Sequence, residues 1–240
     1  MTDQAKQRIP WNKGHTKHTH LSVLKISKTL ASKPKSNFAN WQENHKKTYA
    51  NVAADADLAE LYGIILGDGH IERLARTERL IISCNADHHE QIQHVSDIVG
   101  RVFQRQPKIR RRKSCHCHDV YLYEKYISDR LSFPTGRKSV HDLRIPDWIK
   151  KEENYLLRCL KGLFETDGNW TIDINNYTNV ISFRNNLQGL LDDVFEALKR
   201  LGFHPQRRRL DVRLARKQEV LDFVDKTRFM RHSNSGVIQR

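Results

Sequence analysis

The chain has 240 residues and a formal charge of +14, from 42 Lys and Arg against 28 Asp and Glu. Its 38% hydrophobic content suffices for a buried core, and the basic excess points to a polyanion. No apolar run nears the roughly 18–20 residues of a membrane span, the first twenty residues lack a secretory apolar stretch, and four cysteines (Cys84, Cys115, Cys117, Cys159) are too few for a disulfide framework. A membrane-spanning or exported protein is therefore not expected. A nucleic-acid partner is expected in an intracellular, cytoplasmic setting, whether bacterial, phage or organellar.

Residues 1–50 are rich in Lys, His, Ser, Thr and Asn with scattered apolar positions, and read as a basic appendage ending in a linker. Within them Leu21, Leu24 and Ile26 to Leu30 predict one short amphipathic helix, ended by Ser32-Lys33-Pro34. From Asp57 the texture changes. Asp57-Leu58-Ala59-Glu60 reads as a capping box, Leu61 to Leu66 continue as an apolar helix, and Gly67-Asp68-Gly69 ends it. Further on, Asn154 is expected to cap a second helix, Tyr155 to Glu165, that ends at Thr166-Asp167-Gly168. The two aspartates lie 99 residues apart, and the same shift carries Ile82-Ser83 onto Ile181-Ser182. This internal repeat predicts two halves, 51–146 and 147–240.

Each half reads as helix, two strands, helix, two strands, helix, an α+β chain of two pseudo-symmetric αββαββα units. Residues 169–175 alternate, with Trp170, Ile172 and Ile174 on one face and Asn169, Thr171, Asp173 and Asn175 on the other. On the next strand Ile181 and Phe183 point inward while Ser182 and Arg184 point outward. The matching strand of the first half has Ile82 and Cys84 inward, Ser83 and Asn85 outward. Helical spacing follows at Ile92, Val95, Ile98, Val99 and Val102, and at Leu190, Leu191, Val194, Leu198 and Leu201. Then come the most basic stretches, residues 108–113 and 207–209, at equivalent places.

The segments Leu61-Tyr62-Gly63-Ile64-Ile65-Leu66-Gly67-Asp68-Gly69 and Leu160-Lys161-Gly162-Leu163-Phe164-Glu165-Thr166-Asp167-Gly168 resemble the two signature motifs of the LAGLIDADG homing endonucleases. Physical reasoning points the same way. Small residues at Gly63, Gly67, Gly162 and Thr166 fall on one face of each helix and permit close backbone approach. Aspartates at helix C-termini oppose the helix dipole and repel each other unless a cation intervenes. The resemblance implies a homing-endonuclease-like fold whose halves form a DNA-binding saddle. It also implies catalytic Asp68 and Asp167, a Mg²⁺ or Mn²⁺ site made by these two with Gly67 and Thr166, and an active-site basic residue at Lys138. The implied activity is a metal-dependent double-strand break in a long, asymmetric DNA target, made by a monomer in intron or intein mobility. The alternative is a DNA- or RNA-binding protein on the same fold, an intron maturase or transcription regulator without cleavage, with intron RNA as a partner.

Strand parity and basic composition nominate the DNA-contacting side chains: Ser83, Asn85, Arg110, Arg112, Asn169, Thr171, Asp173, Asn175, Ser182, Arg184, Arg209 and Arg213. Near the N-terminus, Ile9-Pro10-Trp11-Asn12-Lys13-Gly14 and Lys25 to Leu30 resemble the small DNA-binding modules attached to homing nucleases. Cys115-His116-Cys117-His118 has zinc-ligand residue types, but on a strand thiols and imidazoles point to opposite faces and do not converge on one ion.

Overall fold

The computed structural model describes residues 10–32, 49, 51–173, 178–228 and 237–238. The chain forms two compact units, Met1–Thr48 and Tyr49–Arg240. In the first, α1 (Leu21–Ser32) is the helix expected from the sequence, and none of its residues is buried. Its stop at Pro34, residues 37–48 of the linker, and Ile9 lie outside the described residues.

The second unit opens with α2 (Ala56–Gly67), which begins earlier than the sequence suggests. Its N-cap is Asp55, not Asp57: Asp55 is extended, and its carboxylate accepts the Leu58 N–H at 2.8 Å. Asp57 accepts from Arg101 Nε at 2.6 Å and Arg158 at 2.8 Å instead, and Glu60 turns inward and is fully buried. The chain then runs through β1 (Gly69–Arg73), β2 (Glu78–Asn85), α3 (His89–Phe103), β3 (Lys108–Arg111), β4 (Cys117–Glu124) and α4 (Ile127–Leu131). A short α5 (Asp147–Lys151) leads into α6 (Glu153–Asp167). Asn154 therefore does not cap α6: only Glu152 separates the two helices, and it takes the N-cap position with no side-chain cap bond. The second half continues with β5 (Gly168–Asp173), β6 (Thr178–Arg184), α7 (Gln188–Arg200), β7 (Gln206–Arg207), β8 (Asp211–Leu214), α8 (Lys217–Thr227) and β9 (Val237–Ile238).

The first sheet has strand order β1-β2-β4-β3, antiparallel throughout. The second has order β7-β8-β6-β5-β9, antiparallel except that β9 runs parallel to β5. The expected αββαββα order thus appears twice. Register fixes which face is apolar. Ile71, Leu80, Ile82, Val120 and Leu122 are buried on one side of the first sheet, and Trp170, Ile181, Phe183, Val212 and Leu214 on one side of the second. These faces share one core with α2 and α6 and with the apolar stripes of α3 (Ile92, Val95, Ile98, Val99) and α7 (Leu190, Leu191, Val194, Leu198).

Glycines let α2 and α6 cross in backbone contact. A Cβ on Gly63 would overlap the Cys159 carbonyl and lie 3.0 Å from Leu163 N; one on Gly162 would overlap the Glu60 carbonyl and lie 2.8 Å from Ile64 N. The helices could not stay this close with any side chain there. Gly63→Ala is expected to lower unfolding free energy by about 2–3 kcal/mol, an overpacking effect, measured by denaturant titration; a loss under about 0.5 kcal/mol, the size of an ordinary surface change, would contradict this packing.

Candidate metal centre and nucleic-acid face

Tight crossing of α2 and α6 delivers their C-terminal ends to one place. Asp68 caps α2, its N–H bonding the Ile64 carbonyl at 3.0 Å, and Asp167 is the last residue of α6. Asp68 has exposed side-chain area but is closely surrounded by protein. Burial, then the nearby Asp167 charge, push its pKa up to about 6, with Lys138 opposing. The half-buried Asp167 is also raised, by burial, while a hydrogen bond from Asn185 and the charge of Lys138 pull the other way.

The 3-10 turn Lys138–Val140 inserts Lys138 between these groups. Its Nζ donates to the carbonyls of Ile65 (3.2 Å), Leu66 (2.9 Å) and Gly67, which end α2. Burial lowers the Lys138 pKa, and the two aspartates counter it. An ammonium drawn onto carbonyls beside two carboxylates marks this as a place that demands positive charge. The donor set consists of hard oxygens, so the residues present fit a divalent cation such as Mg²⁺ or Mn²⁺. The side chain of Thr166 packs against Gly67, and its hydroxyl donates to the carbonyls of Gly162 (3.0 Å) and Leu163 (2.9 Å). That hydroxyl is committed to the helix interface.

The raised Asp68 pKa has a consequence for stability. Below the unfolded value, 3.8, Asp68 is protonated in both states; as pH climbs through about 6 the folded protein must ionise it against burial and Asp167, and stability is lost. Metal-free Asp68→Asn is therefore expected to match the parent near pH 4 and to exceed it by a margin that grows to a plateau above about pH 6. Thermal unfolding in EDTA measures this; a margin constant across pH would contradict it.

The sheet faces opposite the core carry the nominated side chains. On the first sheet Ser83 and Asn85 share this face with His70, Arg79, Lys108, Arg110, Asp119, Tyr121 and Tyr123. The buried Asp119 carboxylate organises part of it: Arg112 Nε donates at 3.2 Å, Ser83 Oγ lies at 3.2 Å, and Arg110 pairs at 3.6 Å. Arg112 also donates to Ser83 Oγ at 2.9 Å. Asn85 is exposed, and its Oδ1 accepts from the Asp87 N–H at 3.1 Å. On the second sheet Asn169 and Thr171 are linked at 2.9 Å, Ser182 pairs with Arg213 across β6 and β8, and Arg184 is exposed opposite Asp211. Arg209 is exposed in the turn before β8. Asp173 ends β5, and Asn175 lies outside the described residues.

The sequence reading missed Asn185, Asp119 and the row of His70, Arg79, Tyr121 and Tyr123. Alternation of Val120 and Leu122 with Asp119, Tyr121 and Tyr123 marks β4 as a two-faced strand and was the available signal. Among the described residues Glu60, His94 and Glu165 also approach closely enough to hold an ion. Lys161, 3.0 Å from Glu60 and 3.1 Å from His94 Nε2, already supplies the cation there.

Two αββαββα halves that meet on a glycine-lined helix pair, each helix ending in an aspartate, define the LAGLIDADG fold. Residues 154–228 match the family described as LAGLIDADG-like domain. Among solved structures, I-DmoI in complex with DNA and Mn is 16% identical with a TM-score of 0.51, covering 74% of this chain and 98% of that one. The homing endonuclease I-WcaI bound to its DNA recognition sequence is 16% identical with a TM-score of 0.50, over 83% of this chain and 92% of that one. The N-terminal LAGLIDADG domain of DUF199/WhiA is 14% identical with a TM-score of 0.51, over 75% and 84% respectively. No curated protein sequence matches the chain. The family resemblance read from the two motifs therefore holds, as does the α+β fold expected from the repeat.

Proposed function

We propose that this chain is a site-specific homing endonuclease that makes a metal-dependent double-strand break in a long, asymmetric DNA target. The observation that carries this reading is the pair Asp68 and Asp167, held at adjoining helix ends where the helix dipoles and their mutual repulsion both oppose them. Such an arrangement is costly for stability alone and suits a site that binds cations. Asp68 and Asp167, with the terminal carbonyls of Gly67 and Thr166, would hold Mg²⁺ or Mn²⁺. When bound, the ion supplies an activated water and charge stabilisation on the phosphate. Lys138 offsets phosphate charge beside the pair, the outward faces of the other strands, with Arg209, read base edges, and the basic residues of β3 meet phosphates.

In this reading 51–146 and 147–240 act as two unequal halves of a monomer, each facing half of the target, and residues 1–50 add DNA contacts outside it. The setting is intracellular, in intron or intein mobility; among the described residues no helix is long and apolar enough to cross a membrane. A second reading, binding of DNA or intron RNA without cleavage, draws on one observation: the Lys138 ammonium already seated on the carbonyls beside the aspartates. Incubation with a randomised duplex library, with Mg²⁺ or EDTA, followed by sequencing of the ends separates the two. Metal-dependent breaks at one long motif support the endonuclease; retention of one motif without breaks supports the binding protein.

A further inference from the structure

The pseudo-twofold relation supplies a test of equivalence for each residue near the aspartates. Gly63 and Gly162, Asp68 and Asp167, and Ser83 and Ser182 are mates across the shift of 99, but Asn185 is matched by Ala86. The correspondence holds where these strands lead into the next helix, Asn185 N–H donating to the Leu210 carbonyl at 3.1 Å and Ala86 N–H to the His116 carbonyl at 3.1 Å; measured across the hairpins from the aspartates, where Gly69 pairs with Ile82 and Gly168 with Phe183, the residue in the place of Asn185 is Cys84. Two residues later, Leu187 and His88 are the N-caps of α7 and α3.

Asn185 Nδ2 donates to Asp167 Oδ2 at 2.8 Å, and its Oδ1 accepts the Leu187 N–H at 3.0 Å. The second bond fixes the first, because only the oxygen end of the amide can accept from a backbone N–H, which leaves the NH₂ end facing the carboxylate. The carboxylate of Asp167 is thus tied to the start of α7. Cys84 and Ala86 are both buried, and among the described residues no side chain hydrogen-bonds the carboxylate of Asp68.

We propose that Asn185 is a positioning residue that holds Asp167 in its working orientation, so that the two halves of the site are catalytically unequal and the DNA strand served by Asp167 is cut first. This rests on the endonuclease reading. A carboxylate fixed before substrate arrives loses no further freedom on binding, whereas Asp68 must be ordered by its ligands. Removal of outer partners of this kind slows metal-dependent chemistry by about 10- to 100-fold.

The test compares wild type with Asn185→Ser, whose hydroxyl can still accept the Leu187 N–H but is too short to reach Asp167. Single-turnover cleavage of a duplex labelled separately on each strand, in Mg²⁺, is expected to give unequal strand rates and a nicked intermediate for wild type. Asn185→Ser is expected to slow the faster strand by about 10-fold or more and leave the other within about twofold. A second readout needs neither metal nor DNA: in EDTA, the Asn185 side-chain amide protons exchange slowly by NMR, and Asp167→Ala removes that protection. Equal strand rates in wild type, or an unchanged ratio in Asn185→Ser, overturn the proposal while leaving the endonuclease reading intact. Cleavage of no duplex at all overturns both, and unprotected amide protons in wild type overturn the positioning bond itself.

Discussion

Asp68→Asn and Asp167→Asn are each expected to remove double-strand cleavage, a loss of at least about 10³ in rate, equivalent to roughly 4 kcal/mol of transition-state stabilisation. Specific DNA binding should stay within about tenfold, because the lost charge belongs to the cation site and not to the sheet faces that meet DNA. Each helix contributes one carboxylate, and Asn is the same size and keeps a carbonyl oxygen, so the α2–α6 crossing is undisturbed. Stability is expected to change in the opposite direction from activity. At neutral pH, replacing either aspartate relieves desolvation, and in the case of Asp68 the repulsion from Asp167 as well. A variant inactive yet more stable is the signature of a site arranged for function at the expense of folding. Wild-type cleavage of both strands by either variant would contradict the assignment.

The second large effect is expected at Glu60. This fully buried carboxylate lies 2.8 Å from Arg158, 3.0 Å from Lys161 and in hydrogen-bond contact with His94, joining α2, α3 and α6. Burial alone would raise its pKa, but His94, Lys161 and Arg158 together hold it below the ordinary value. The network has no counterpart across the pseudo-twofold axis: the mates of Glu60, Lys161 and Arg158 are Cys159, Tyr62 and Ala59. Glu60→Ala leaves two cations in the helix interface without their central anion and is expected to cost about 3–5 kcal/mol of unfolding free energy. The stability Glu60 contributes is present above the unfolded carboxylate pKa and is lost as pH falls through its depressed folded value, so the difference from wild type should shrink in acid. Urea titration at pH 7 and pH 4 measures both; a loss under about 1 kcal/mol, the level of an exposed ion pair, would contradict the picture of a closed buried network.

How much of this could be read from the amino-acid sequence depends on the range of the interaction. Motif helices were legible because their glycines and aspartates recur in register, and sheet faces because alternation such as Trp170 and Ile172 against Asn169 and Thr171 is a local pattern. The start of α2 was misread because three aspartates, Asp55, Asp57 and Asp68, bracket that helix. Which of the first two caps it is decided by the distant Arg101 and Arg158, which draw Asp57 away. Glu165 faces Lys161 at 3.9 Å, one turn back along α6. Asn185 was illegible for the opposite reason to the motif aspartates. It departs from the repeat instead of following it, and only the turn from β6 into α7 carries its amide to Asp167. Asp119 was hidden in the same way, since a carboxylate on a face expected to meet DNA makes sense only once Arg110, Arg112 and Ser83 surround it.

The measurement that bears most directly on the central claim is the location of Mn²⁺ by anomalous scattering in crystals of the protein with its selected duplex, for wild type and Asp68→Asn. The account predicts anomalous density within about 2.0–2.3 Å of carboxylate oxygens of Asp68 and Asp167, a typical metal–oxygen distance, with density at position 68 lost in the variant. Density confined to the Glu60 network, or its absence from the aspartate pair, would contradict it.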